Sequence, residues 1–398
     1  MRRRWCKTDS EDTMKTPYDE LTILYGYSHA LKIGEQTMPM ITDLVGALMP
    51  SASEDPLFVG LNRLVVEGFG LPPCRRFEKC SGGLINETYD GDGIWIVQRV
   101  NPIFGAGVND DIAALVPLLQ IKGIPVPQLC RSKTGQYAIE GKDYGLAAGN
   151  YRIMTKLTGV AHARVDDIAK IRALAQMLAA FHTALDGVSH RFVHTRPAVH
   201  DFYRHKRALT EALATKREHR YSAEIEALRC AMERCEKSIP IDDICNGRTR
   251  RIIHGDPKIS NFLFSEVKET EHCSITGVID LDTMARSLVC YDVGDAIRSW
   301  CNPRKEDEEP EYNSEFARET LGEYEESAHC LDREERSMLA FSPAYIALEL
   351  AMRFARDALC EDYFGFDPEI GHAEHSARRA RAMLGLCAQM LAAQTREI

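Results

Sequence analysis

The sequence predicts an α+β protein in two lobes, a small β-rich N-terminal lobe and a larger, mainly helical C-terminal one. Three observations predict it. Residues 76–100 read as short strands separated by glycine turns. Beyond residue 156 the apolar positions recur at helical spacing over long stretches. Between these helical stretches the polar string His254-Gly255-Asp256-Pro257-Lys258-Ile259-Ser260-Asn261 is bracketed by the apolar runs Ile252-Ile253 and Phe262-Leu263-Phe264. A chain of 398 residues is long for one core and suits two lobes, and 44% hydrophobic residues suffice for a sizeable interior.

Composition narrows the function classes. The formal net charge is −10 and no long basic block occurs, which argues against a nucleic-acid partner. The short clusters Arg2-Arg3-Arg4 and Arg378-Arg379-Ala380-Arg381 read as solvated faces. Thirteen cysteines without a C-x-x-C pair predict neither a disulfide framework nor a zinc site, and point to a reducing, cytoplasmic location. No apolar run approaches membrane-spanning length. The basic start meets Asp9, Glu11 and Asp12 before any apolar segment, unlike a secretory signal. No membrane partner is expected.

In chain order, residues 1–55 read as an N-terminal arm carrying no recognisable chemistry. The N-lobe is expected over 56–155 and the C-lobe over 156–398. Leu57–Val66 has helical spacing. Arg76–Tyr89 reads as strand, glycine turn and strand, and Ile94–Val100 as a third strand, with Ser81-Gly82-Gly83 as a turn whose backbone N–H groups could approach phosphates, and Asp90-Gly91-Asp92-Gly93 as a hairpin turn. Arg99 stands on the third strand, where a kinase carries its phosphate-pairing cation. Asp110–Lys122 reads as a helix closed by Gly123, and Ile124–Leu129 as an extended edge. Tyr137–Ile139 and Tyr151–Met154 read as two more strands. The second runs into Met154-Thr155-Lys156-Leu157-Thr158-Gly159, an inter-lobe hinge whose backbone would meet an adenine ring.

The C-lobe opens with an amphipathic helix over Asp166–Leu185, with Ile168, Ile171, Leu174, Ala175, Leu178 and Phe181 or His182 on one face and His182 read as a core or cap residue. One charged helix is expected over 201–236, with His200 and Asp201 lining a substrate cleft. Residues 265–276 read as a charged loop and 303–310 as an acidic, solvated turn. Helices are expected to open at Tyr291 and to cover Ala344–Leu359 and Ala373–Thr395. Glu349, Arg353 and Asp357 lie four apart on one face, either as a salt ladder or with Arg353 reaching substrate oxygens.

The polar string carries the chemistry. It reads H-G-D-x-K-x-x-N, and Asp280, in Ile279-Asp280-Leu281-Asp282-Thr283, follows Asp256 by 24 positions. A kinase catalytic loop followed by its metal-binding Asp has this logic. Phosphoryl transfer needs an acceptor for the hydroxyl proton, and Asp256 is placed for it. It needs divalent metal on the nucleotide phosphates. Mg²⁺ takes oxygen ligands, which Asn261 and Asp280 supply. Lys258 is the cation near the transferred group. The donor expected is ATP and the cofactor Mg²⁺, and the resemblance to a kinase catalytic loop implies a protein-kinase-like fold. His254 is expected to pack, and Asp292 to cap its helix or hold the loop from below.

These residues resemble the aminoglycoside phosphotransferase and choline kinase superfamily, and more closely the N-acetylhexosamine 1-kinases. Ser81–Tyr89 resembles the latter's S-G-x-I-N-x-T-Y loop with one residue more, and Val97-Gln98-Arg99-Val100-Asn101 resembles L-Q-R-I-N. Tyr291–Arg298 is similar to the family's D-x-G-D-x-I-R segment, and Glu349–Phe354 to E-L-x-x-R-F. The resemblance covers Leu57 to the C-terminus and implies phosphorylation of an anomeric sugar hydroxyl, with Arg353 touching the sugar. Gly255 stands where those kinases often have Asn, and the helix from Asp110 has no obvious Glu to pair with Arg99. An aminoglycoside- or choline-type kinase is the alternative within enzymes, and a nucleotide-binding pseudokinase the alternative outside them.

Overall fold

The computed structural model describes residues 55–80, 85–105, 107–194, 199–265 and 274–395. The N-terminal arm apart from Asp55, the Ser81-Gly82-Gly83 turn and most of the 265–276 loop lie outside the described residues. The fold is α+β, with a small antiparallel sheet lobe and a larger helical lobe.

The smaller lobe begins with α1, Pro56–Arg63. Asp55 caps it, accepting from Leu57 N at 2.9 Å, and Pro56 takes the first turn where no N–H is needed. The helix runs into a π turn, Leu64–Gly68. Five strands follow: β1 Phe77–Lys79, β2 Glu87–Gly91, β3 Trp95–Arg99, β4 Ile139–Glu140 and β5 Asn150–Thr155, in the order β1-β2-β3-β5-β4. The β2–β3 turn has Asp92 and Gly93 at φ 52° and 72°, and Asp90 Oδ1 accepts from Gly93 N at 2.8 Å. Alternation along the strands splits the sheet. Tyr89, Val97, Tyr151 and Ile153 pack with Leu61, Leu64 and Phe69 in a small core. Thr88, Gln98 and Arg152 take the opposite face. Between β3 and β4 lies α2, Val108–Ile121, whose Ile112, Leu115, Val116 and Leu119 are buried in the larger lobe's core. The strand expected over Tyr137–Ile139 shrinks to Ile139–Glu140.

The larger lobe comprises β6 Val160–Ala161, α3 Ile168–Ala184, α4 Phe202–Thr215, α5 Ser222–Glu236, α6 Ile241–Cys245, β7 Arg251–Ile253, β8 Phe262–Phe264, β9 Ile275–Val278, β10 Ala285–Ser287, α7 Val289–Trp300, α8 Ser314–Ser327, α9 Arg333–Leu339, α10 Ser342–Cys360 and α11 His372–Gln394. The single helix expected over 201–236 is two. Residues 216–220 are all polar and offer no apolar residue to a core, and the Ser222 hydroxyl donates to the Lys216 carbonyl across the break at 2.5 Å. The 303–310 turn is not merely solvated, because Glu306 reaches Arg298 at 3.2 Å. Arg379 likewise leaves the expected solvated cluster: it is buried, donates to Gly365 O at 2.8 Å and lies over the Phe354 ring. The eleven cysteines among the described residues are free, and no single described helix is long and apolar enough to cross a membrane.

Candidate active site

The polar string lies between β7 and β8, and its backbone is clamped from two sides. From α7, Asp292 accepts the His254 and Gly255 amides at 2.7 and 2.8 Å. The same carboxylate meets His182 Nε2 at 3.0 Å, and His182 Nδ1 meets the Tyr324 hydroxyl at 2.7 Å. Burial opposes the Asp292 charge, but His182, His254 and the Gly255 N–H outweigh it and lower its pKa. Trp300 Nε1 donates to Pro257 O at 2.9 Å, and Ser299 Oγ accepts from Ile259 N at 3.0 Å. From the other side comes the turn Leu281–Thr283. Thr283 Oγ1 donates to His254 O at 2.9 Å, and a Cβ on Gly255, at φ +85°, would lie 2.3 Å from the Thr283 carbonyl oxygen. His254 is fully buried with Nε2 3.0 Å from Ile279 O, so it holds backbone and does no chemistry.

The clamp brings Asp256, Lys258, Asn261 and Asp280 together. Lys258 Nζ lies 2.7 Å from Asp256 Oδ2 and 4.0 Å from Asp280 Oδ2. Burial works against the ammonium, but Asp256, Asp280 and Asp295 prevail and raise its pKa, so it stays charged. Asn261 Nδ2 donates to Asp256 O at 2.8 Å and its backbone carbonyl accepts from Ile279 N at 2.9 Å, which leaves Oδ1 for a ligand. Asp280 stands at φ 63°, ψ 55°, a left-handed conformation that Asp tolerates better than most residues. Burial, then the nearby Asp282, raises its pKa despite Lys258. Among the described residues no cluster of three or more His, Cys, Asp or Glu forms a protein cage for a metal. Asn261 and Asp280 fit instead an ion that takes two protein oxygens and completes its shell with phosphate and water, as Mg²⁺ does.

Other expected residues are dispersed. Arg99 is on the Val97 face of β3, away from the loop; it donates to Ala148 O at 2.5 Å and lies 3.6 Å from Glu87, so its proposed phosphate role is not supported by its position. Lys156 pairs with Asp90 at 2.6 Å, and its amide donates to Ile94 O at 2.9 Å. Met154 is half-buried on β5 and bridges Leu129. Asp201, expected in the cleft, caps α4, its Oδ1 accepting from Arg204 N at 3.0 Å. His200 lies against the Tyr291 ring with centroids 4.7 Å apart and 3.3 Å from Glu349. Arg353 reaches Glu349 at 3.7 Å and the Tyr363 hydroxyl at 3.1 Å. The ladder stops there: Asp357 instead binds His372 and Ser376, each at 2.8 Å, and the Tyr363 amide. Glu349 Oε2 and Arg353 Nε are buried without a hydrogen-bond partner. Asp295, paired with Arg298 at 2.7 Å, feels the charges of both Asp256 and His200, which links this cluster to the loop.

One buried group stands outside the residues that the sequence singles out. Arg152 forks onto Asp282, with Nη1 2.5 Å from Oδ1 and Nη2 2.9 Å from Oδ2, and both side chains are at most 2% exposed. Asn86 Nδ2 reaches Asp282 Oδ2 at 2.7 Å. Asn86 and Asp282 stood inside recognisable strings; Arg152 left no signal beyond being an Arg in an apolar strand.

A sheet lobe, a helical lobe and an Asp–Lys–Asn loop with a following Asp define a phosphotransferase enzyme. The profile of the phosphotransferase enzyme family, APH, matches residues 77–329, well over half the chain, and the protein belongs to that family. Solved structures share the fold at low identity. A GDP complex of wild-type aminoglycoside 2'-phosphotransferase-IIIa is similar at 18% identity and TM-score 0.53, over 85% of this chain and 99% of that one. A microcompartment-associated aminopropanol kinase matches at 13% and 0.52, over 90% and 98%. The amicoumacin kinase hAmiN, in complex with AMP-PNP, Ca²⁺ and Ami, matches at 13% and 0.51, over 94% and 96%.

Proposed function

We propose that this phosphotransferase moves the γ-phosphoryl group of ATP to a sugar hydroxyl, with Mg²⁺ on the phosphates, and that the hydroxyl is the anomeric one of an N-acetylhexosamine. The observation that carries the phosphoryl-transfer half is the Asp256 carboxylate with Lys258 on one oxygen and Asp280 beyond it. Lys258 occupies Oδ2, so Oδ1 is the oxygen left to orient an acceptor hydroxyl and take its proton. Lys258 is placed to follow the charge that shifts from Asp256 toward the transferred group. A bound Mg²⁺, held by Asn261 and Asp280, would neutralise phosphate charge. Nucleotide in the complexes named above supports a nucleoside-triphosphate donor.

The acceptor side supports a neutral, hydroxyl-rich molecule. A cationic acceptor calls for free carboxylates, but Glu349 is matched by Arg353 and flanked by His200 and His205, and Asp295 is matched by Arg298. Glu349 Oε2, Arg353 Nε and His200 Nδ1 are buried there without a hydrogen-bond partner, a polar set with no carboxylate left free of a neighbouring cation. The names of the aminopropanol and amicoumacin kinases favour a second reading, an amine-bearing acceptor. Turnover with a panel of hexoses, N-acetylhexosamines, amino alcohols and aminoglycosides tests both, with the phosphorylated carbon located by phosphorus–proton NMR. The expected product is a 1-phosphate. Coupling to another ring carbon refutes the anomeric assignment, and turnover with amines alone refutes the sugar.

A further inference from the structure

We propose that Arg152 and Asp282 form a positioning clasp that fixes the metal oxygen of Asp280 from the sheet side, with Asn86 as its third member. The inference rests on the metal-dependent reading above.

The geometry excludes a direct ligand role for Arg152. A guanidinium has five N–H groups, and all five are spent inside the protein. Nε and Nη2 donate to Gln98 Oε1 at 2.9 and 2.7 Å, Nη1 donates to Asn109 Oδ1 at 3.1 Å, and Nη1 and Nη2 take the two oxygens of Asp282. None is left for a phosphate. Arg152 therefore gathers β3 through Gln98, α2 through Asn109 and the 281–283 turn through Asp282. Asn86 ties in the start of β2, because its Oδ1 also accepts the Asn101 amide at 2.9 Å.

Asp282 stands one residue beyond Leu281 in the turn that Asp280 opens. Asp280 is held at positive φ, a state that persists only where the surroundings over-determine it. The far end of the turn is fixed to the catalytic loop by Thr283. The clasp fixes its middle. With both in place, the sheet that carries the nucleotide and the oxygen that holds the metal form one rigid unit. Partners that orient a metal ligand without touching the metal are worth about 10- to 100-fold in metal affinity.

The test is Mn²⁺–ADP binding by electron paramagnetic resonance and calorimetry on the full chain, with acceptor KM measured alongside. Two variants serve. Asn86→Ala removes one arm and leaves the ion pair, and Arg152→Met with Asp282→Leu removes both charges together, a replacement that buried pairs often tolerate without loss of stability. The expected result for either folded variant is Mn²⁺–ADP affinity lower by about 10- to 100-fold with acceptor KM unchanged. Wild-type affinity in folded Asn86→Ala overturns the proposal, as does a parallel rise in acceptor KM, which marks general loosening. If the double variant does not fold, Asn86→Ala decides alone. If wild-type protein binds no Mn²⁺–ADP, the metal-dependent reading fails and the clasp proposal with it.

Discussion

Replacing Gly255 by Ala tests whether the catalytic loop is held by backbone crowding. The residue has φ +85°, and its added Cβ would lie 2.3 Å from the Thr283 carbonyl oxygen and 3.0 Å from the carbonyl carbon. The left-handed backbone alone costs a non-glycine residue about 1–2 kcal/mol. Forcing an extra carbon into an occupied site adds about 1–3 kcal/mol. The neighbour yields little, since Thr283 is bonded to His254 and its turn is clasped through Asp282. The sum, about 2–5 kcal/mol, is a large part of an ordinary domain's 5–15 kcal/mol, roughly stated. Gly93 supplies the control: its φ is +72° and nothing lies within 4 Å of an added Cβ, so Gly93→Ala carries only the backbone cost. Urea unfolding and steady-state turnover on both variants separate the contributions. Gly255→Ala should be the less stable and lose about 10²-fold in kcat, as a displacement near 1 Å at Asp256 would cause. Equal stability of the two variants with wild-type turnover would refute the crowding argument.

Asp256→Asn should lower kcat by about 10²- to 10⁴-fold while melting and nucleotide binding stay near wild type, which calorimetry and steady-state kinetics check. Asp280→Asn or Asn261→Ala should abolish turnover at ordinary Mg²⁺ and recover part of it at high metal; full turnover at ordinary Mg²⁺ would remove the metal assignment. Asp292 has a depressed folded pKa, so its contribution is complete above the usual carboxylate value near 3.9, roughly, and is lost as pH falls through the folded one. The Tm gap between wild type and Asp292→Asn should therefore be constant at neutral and mildly acid pH and close only in strong acid.

Much of this was legible in sequence because its signals are local. The loop from His254 to Asn261, the Asp90–Gly93 hairpin and the apolar face of α3 each lie within a few residues, and each forms as read. Asp292 was legible as a structural residue from its place in a helix's first turn. What escaped depends on pairings distant in the chain. Arg152 and Asp282 are 130 positions apart, and no local pattern joins them. Arg99 and Arg152 look alike as arginines on strands; only the register, which pairs Arg152 with Gln98 and Arg99 with Tyr151, shows that they face opposite ways. Helices α8 and α9 are charged, and α8 buries only Ala317, Thr320 and Tyr324, although Asp332 and Glu335 form a capping box that could have marked α9.

Substitution of Arg353 tests the two acceptor classes against each other. Its guanidinium lies 3.7 Å from Glu349 and near the Tyr363 and Phe364 rings, and Glu349 is 1% exposed. A buried carboxylate stripped of its cation has three ways to respond: protonate, recruit His200 or His205, or bind a cation from the ligand. Burial holds His205 below its usual pKa despite Glu349, so at neutral pH it is a poor substitute. Arg353→Ala should accordingly raise KM for a neutral sugar, leave KM for ATP unchanged, and improve the relative kcat/KM for amine-bearing acceptors, because the Glu349 charge, stripped of its cation, now has a use. The assay is competition between an N-acetylhexosamine and an amino alcohol at fixed ATP. If the sugar's KM does not move, Arg353 is a packing residue for the Tyr363–Phe364 loop. If the wild-type enzyme already prefers the amine and Arg353→Ala abolishes that preference, Glu349 was never neutralised by its neighbour, and the charge argument for a sugar acceptor falls.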